Sequence, residues 1–336
     1  MFAGGDYSRA GCSVSEVTDL YISLQKQKPE KVALPTPNIS QARANLAGNR
    51  SHLHLSLKQA LIRRAAGTGL SWPVNPSTGL RQPGYFAFAG GLTCTQGGAY
   101  PPSDVIDIFW YDKSKESTSV SPWTLAVFDA SKSIKLSSPR NWMSATTFCT
   151  LAKTGGSAAV PLCRFMFAGG QGRNNQYSNV VDILDASACY NNRGLSADPN
   201  TCMIMGPSIN MAIARGSLAV ASFLGAGNIG GGAAMFAGGK TEVKDALGNT
   251  VPVTWATSDY YISASATSPI LDLAWFNLSV PRFDLAGVGF DISGSGGKQQ
   301  ALFAGGTTSD LQTSNVVDSY LFGSAIPDMC DPPFRA

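Results

Sequence analysis

An all-β fold assembled from tandem copies of one small antiparallel unit is what this sequence predicts. Three observations predict it. The tetrapeptide Phe-Ala-Gly-Gly recurs five times, beginning at Phe2, Phe88, Phe167, Phe236 and Phe303, with spacings of 86, 79, 69 and 67 residues. Self-similarity of this kind marks supersecondary units that stack on one another, here with insertions of variable length. Runs rich in Val, Ile, Tyr and Phe alternate with Gly-, Ser- and Asn-rich stretches, which reads as strands separated by turns. Outside about residues 55–66, no segment shows a helical period.

Each later copy of the tetrapeptide ends a short apolar run: Tyr85 to Phe88, Arg164 to Phe167, Ala233 to Phe236 and Ala301 to Phe303. β-Branched and aromatic residues bounded by turn formers favour strands. A polar stretch follows, then a second apolar run with an Asp near its middle. That run reads Ser15-Glu16-Val17-Thr18-Asp19, Ser103-Asp104-Val105-Ile106-Asp107, Ser178-Asn179-Val180-Val181-Asp182 and Ser314-Asn315-Val316-Val317-Asp318, with a degenerate fourth copy at Thr257-Ser258-Asp259. An aromatic-bearing strand comes next in places, at Trp123 to Phe128 and at Leu273 to Phe276. The unit closes on Pro or Ala followed by Arg, at Ala42-Arg43, Pro139-Arg140, Ala214-Arg215 and Pro281-Arg282. Each unit therefore supplies four short strands.

One four-stranded sheet cannot bury both of its faces alone, so neighbouring units must stack. Radial repetition of such sheets describes a β-propeller of four-stranded antiparallel blades. Five blades are expected, or six if residues 51–83 conceal a degenerate one. The pairs Gly4-Gly5, Gly90-Gly91, Gly169-Gly170, Gly238-Gly239 and Gly305-Gly306 are expected where strands crowd a central axis and a side chain would hold backbones apart. Phe before each pair would wedge between blades. Asp19, Asp107, Asp182, Asp259 and Asp318 are expected to accept from loop amides, because a buried carboxylate must be hydrogen-bonded. Arg43, Arg140, Arg215 and Arg282 recur at one place in every unit, which favours a repeated structural contact over an anion grip on one face.

These residues resemble kelch repeats. The resemblance is carried by the strand ending in Phe-Ala-Gly-Gly, the Val-x-Asp-x-Tyr/Phe strand, the Trp-bearing strand and the Pro-Arg before the next unit. It covers residues 1–336 as a single kelch-like domain, with a poorly matched insertion between blades at residues 51–83. The family implies a β-propeller with binding loops on its faces and no single activity, since fold and function are separable. Two departures stand out. The units exceed the family's usual repeat of roughly 50 residues, so long loops are expected between strands. The chain also opens on the Gly-Gly strand and closes on Pro332-Pro333-Phe334-Arg335-Ala336. Either those last residues complete the first blade, or the chain is a segment of a longer polypeptide.

Charged residues make up 14% of the chain, against roughly a quarter in ordinary domains, which suits packed sheets joined by uncharged loops. A net charge of +3 argues against a nucleic-acid partner. No run of about 18 apolar residues predicts a transmembrane helix, and Met1 to Asp6 already belongs to the repeat, leaving no signal peptide in view. Cys149 and Cys163 flank a Gly-Gly turn, and Cys189 and Cys202 flank an Asn/Asp-rich loop. Both spacings suit disulfides that hold long loops in a secreted protein, the alternative being reduced, buried thiols. Cys12, Cys94 and Cys330 remain over. Sequons at Asn38, Asn49 and Asn277 point the same way, although such triplets also arise by chance. An extracellular or cell-surface location is expected, with the cytoplasm as the alternative.

Catalytic chemistry finds little support. His52 and His54 are the only histidines and would share one face of a strand, but no third ligand accompanies them in sequence. A copper-radical oxidase on this type of propeller would need His and Tyr ligands from several blades. A glycosidase would need paired carboxylates or a Tyr-Glu nucleophile. The glycine-rich stretch Gly225 to Gly232 leads into a strand and reads as a hairpin turn, not a phosphate loop. No cofactor is expected. The leading expectation is a non-catalytic module presenting long loops to a protein or glycan partner, with Tyr100, Trp110 and Trp255 as candidate contact groups. Packing between blades is the competing role for those rings. A carbohydrate-active enzyme and a subunit of a large surface assembly are the alternative functions.

Overall fold

A computed structural model of the chain describes residues 2–3, 18–19, 21–22, 30–31, 43–44, 66–70, 84–93, 101–111, 123–126, 128, 133–152, 160–189, 198–223, 232–263, 270–272, 277–291 and 299–322. Those residues form an all-β structure of several antiparallel sheets with almost no helix.

Each copy of the tetrapeptide ends one strand, and in the later copies that strand lies inside a larger sheet. The Phe88 sheet runs Trp123–Leu125, Ile106–Tyr111, Tyr85–Ala89, Ala66–Leu70 across its width. The Phe167 sheet pairs Ser144–Ala152 with Val160–Ala168 and then Val180–Asp185, whose first two residues also pair with Ile209–Asn210. The Phe236 sheet runs Ala219–Phe223, Gly232–Ala237, Ser258–Ser263, Ile270–Asp272. The Phe303 sheet joins Ala286–Asp291, Gln299–Ala304 and Val317–Phe322. Phe2–Ala3 pairs with Thr18–Asp19 in a short ladder.

One register unites all five copies. Phe2 lies opposite Asp19, Phe88 opposite Asp107, Phe167 opposite Asp182, Phe236 opposite Asp259 and Phe303 opposite Asp318. A slip of one residue would turn every side chain to the other face, so this shared pairing is what makes the units equivalent.

The chain divides into two compact units, Met1–Trp142 with Ala186–Met205 and Met143–Asp185 with Gly206–Ala336. In the first, Phe88 meets Phe109 edge to face at 5.9 Å within the Phe88 sheet. Residues 66–70, inside the stretch read from sequence as an insertion, supply that sheet with its fourth strand. The rest of residues 51–83 lies outside the described residues.

In the second unit three sheets stack face to face, and the strand Gly232–Ala237 shows how. Its side chains alternate between faces, as the pleat requires. Ala234 and Phe236 join Met166, Ala168, Val181 and Ile183 of the Phe167 sheet in one core. Ala233, Met235 and Ala237 join Ala301, Phe303, Tyr320 and Phe322 of the Phe303 sheet in another. Tyr260 stacks on Phe322 at 5.3 Å with planes 8° apart. Each large apolar side chain buried this way contributes about 1.5–3 kcal/mol.

At the Gly-Gly pairs a side chain would press on backbone: a Cβ on Gly169 would stand 2.4 Å from the Arg215 carbonyl oxygen, and one on Gly306 2.7 Å from that of Phe283. They sit just beyond the strand ends, where both residues take positive φ, as at Gly238 (67°) and Gly239 (104°). Backbone also crowds at Gly287, where a Cβ would stand 2.6 Å from the Val220 carbonyl oxygen and the Phe303 and Phe236 sheets touch.

Replacing Gly238 by Ala is expected to cost about 2–4 kcal/mol, because left-handed backbone and close approach act together. The new Cβ would lie 2.6 Å from the Arg282 carbonyl oxygen. Gly248→Ala, at φ +81 with nothing within 4 Å, is the control and should cost about 1 kcal/mol. Urea unfolding of both variants checks the difference.

Candidate functional site

The polar stretch after each Gly-Gly pair becomes a loop closed at its base by the same bonds. The second glycine's carbonyl accepts the amide of Ser103, Ser178, Trp255 or Ser314, which closes residues 92–102, 171–177, 240–254 and 307–313 respectively. The same glycine donates its own N–H to the carbonyl of the unit-ending arginine, Gly91 to Arg140, Gly170 to Arg215 and Gly239 to Arg282. Each arginine amide then donates to Ser103, Ser178 or Trp255, completing a backbone triangle. The serines also accept the amide two residues on through Oγ, at 3.1 Å for Val105, 3.1 Å for Val180 and 3.2 Å for Val316. Serine favours this local bond because its hydroxyl mimics a backbone acceptor.

The arginine side chains point inward. Arg140, Arg215 and Arg282 are fully buried, so none of these guanidinium groups reaches solvent to hold an anion. Arg215 Nη2 lies 2.6 Å from Asp259 Oδ2 and donates to the Phe236 carbonyl at 3.3 Å. Arg282 Nη2 lies 2.5 Å from Asp318 Oδ2 and donates to the Phe303 carbonyl at 3.2 Å. The second carboxylate oxygen accepts a backbone amide, from Ala212 at 2.8 Å in Asp259 and from Ser279 at 3.0 Å in Asp318. Asp182 is buried and accepts from Ser208 Oγ at 2.8 Å; Asp107 is buried too. The side chains of Asp19 and Arg43, with Gly4 and Gly5, lie outside the described residues. Sequence reasoning missed Arg164, which is buried in the Phe167 sheet and donates to the Tyr261 hydroxyl.

With the frame set, the loops vary. Residues 171–177 make a short turn over Arg173–Asn175. Residues 240–254 form a hairpin of Lys240–Lys244 against Thr250–Thr254. Residues 307–313 make a tight turn pinned by pairing of Thr307 with Thr313. The hairpin tip is organised by Asp245, whose Oδ1 accepts the Leu247 and Asn249 amides at 2.9 and 2.8 Å and whose Oδ2 accepts Asn249 Nδ2 at 3.1 Å. The Asn249 side chain and amide, with the Leu247 and Gly248 amides, hold the Asp245 carboxyl below its ordinary range.

Between hairpin and turn opens a cleft of about 370 Å³, lined by Pro252, Val253, Thr254, Val280, Pro281, Thr308 and Ser309. None of these side chains titrates. Burial pushes the Tyr85 and Tyr260 phenols up, with Asp198 adding to the rise at Tyr85, so both stay neutral near pH 7. Among the described residues no three His, Cys, Asp or Glu side chains gather as a metal site. His52 and His54 lie outside the described residues.

The candidate contact aromatics are placed differently from one another. Trp255 closes the hairpin at its base, half-buried, with Nε1 donating to Thr241 Oγ1 at 3.3 Å. Trp110 stands in the strand Ile106–Tyr111 rather than in a loop, opposite Tyr85. Tyr100 lies outside the described residues, as do Asn38 and Asn49. Asn277 is half-buried, and its Oδ1 accepts the Ser258 amide at 3.2 Å. Cys189 and Cys202 form a disulfide with Cα atoms 4.9 Å apart. Cys163 is also disulfide-bonded, and Cys149 stands directly across the ladder from it. No helix among the described residues is long and apolar enough to cross a membrane.

No protein-family model matches the chain. No curated protein is similar to it. The solved structure of YjhT aligns with 93% of this chain and 89% of its own at 8% sequence identity, with a TM-score of 0.36, a likeness too loose to carry an argument.

Asp259→Ala should cost about 3–5 kcal/mol, since it leaves the buried Arg215 charge unpaired, whereas Arg215→Met with Asp259→Leu should recover much of that loss. Urea titrations of Asp259→Ala, of Asp259→Leu and Arg215→Met singly, and of the Arg215→Met with Asp259→Leu double variant measure the coupling. The hairpin tip should respond to acid in one direction only. A depressed folded-state carboxyl contributes order above the ordinary aspartate value and loses it as pH falls through the lowered one. Amide shifts of Leu247 and Asn249 should therefore titrate with a midpoint below 3.8.

Proposed function

We propose that this chain is a non-catalytic binding module, a kelch-like β-propeller of five blades that presents its long loops to a protein or glycan partner outside the cell. One observation carries the reading. The bonds that close each loop are the same from copy to copy, while the loops they close run from the short 171–177 and 307–313 to the hairpin 240–254. A scaffold with invariant anchors and variable loops separates stability from recognition, the division found wherever binding residues sit on loops of a rigid frame. The buried arginines and aspartates support the same reading, because their charges are spent on the frame. The disulfide at Cys189 and Cys202 supports an oxidising compartment.

The test is to capture partners from the source fluid on immobilised protein, alongside a glycan array. Both are repeated with residues 240–254 replaced by a two-residue Asn-Gly turn. The hairpin variant should keep its melting temperature within a few degrees and lose specific partners. Retention of every partner by the hairpin variant, or turnover of a substrate by the intact protein, would overturn the reading.

A further inference from the structure

We draw no further inference here: the strongest candidate, the outward apolar face of the Phe303 sheet, where Val288, Phe290, Val317 and Leu321 stand exposed, carries nothing because nothing in the structure shows what covers it.

Discussion

Arg215 and Arg282 carry their charge into the dry space between stacked sheets, and the second unit is organised around that placement. Each arginine belongs to two repeats at once. Its carbonyl accepts the Gly-Gly amide of its own repeat, Gly170 for Arg215 and Gly239 for Arg282. Its guanidinium reaches the aspartate and the Phe carbonyl of the next. A buried ion pair repays its desolvation only when the pairing is close and further hydrogen bonds satisfy the charged groups. Here the aspartate spends one oxygen on arginine and the other on a backbone amide three residues before that arginine. The arrangement therefore fixes both the distance between sheets and the path of the connecting chain.

From that constraint the remaining geometry follows. Asp259 can meet Arg215 only if it projects between the sheets, and in the ladder it lies directly opposite Phe236. The same Phe and Asp pairing recurs in every described copy, so the apolar wedge and the charged tether are set by one register. The positive-φ glycines let the chain turn off the strand tightly enough to donate to the arginine carbonyl. Packing supplies most of the stabilisation; the ion pair supplies position.

Function depends on the separation this creates. Because the second glycine's carbonyl closes each described loop, with arginine completing a backbone triangle at three of the four, the residues above can vary without disturbing the sheets below. The hairpin and the tight turn use local bonds of their own, through Asp245 and Thr308, to hold apolar side chains in solvent. Rigidity in a loop rich in small polar residues is unusual unless side chains stand in for missing backbone partners. Both loops meet that condition.

Sequence alone determined the repeat, its strand content and the equivalence of Phe, Asp and Arg from unit to unit, because spacing and alternation are one-dimensional signals of a pleated, stacked structure. The serine that closes the loop was present in the same pattern, but its role emerged only with the bonds. What tertiary structure decided was which groups meet. Arginine's partner lies in the next repeat, 44 residues away for Arg215 and 36 for Arg282, and no local pattern states such a pairing. It also set Trp110 in a strand, added a crowded contact at Gly287, and joined residues 252–254, 280–281 and 308–309 into one cleft. Those outcomes depend on distances between segments far apart in the chain, which are fixed only when the sheets pack.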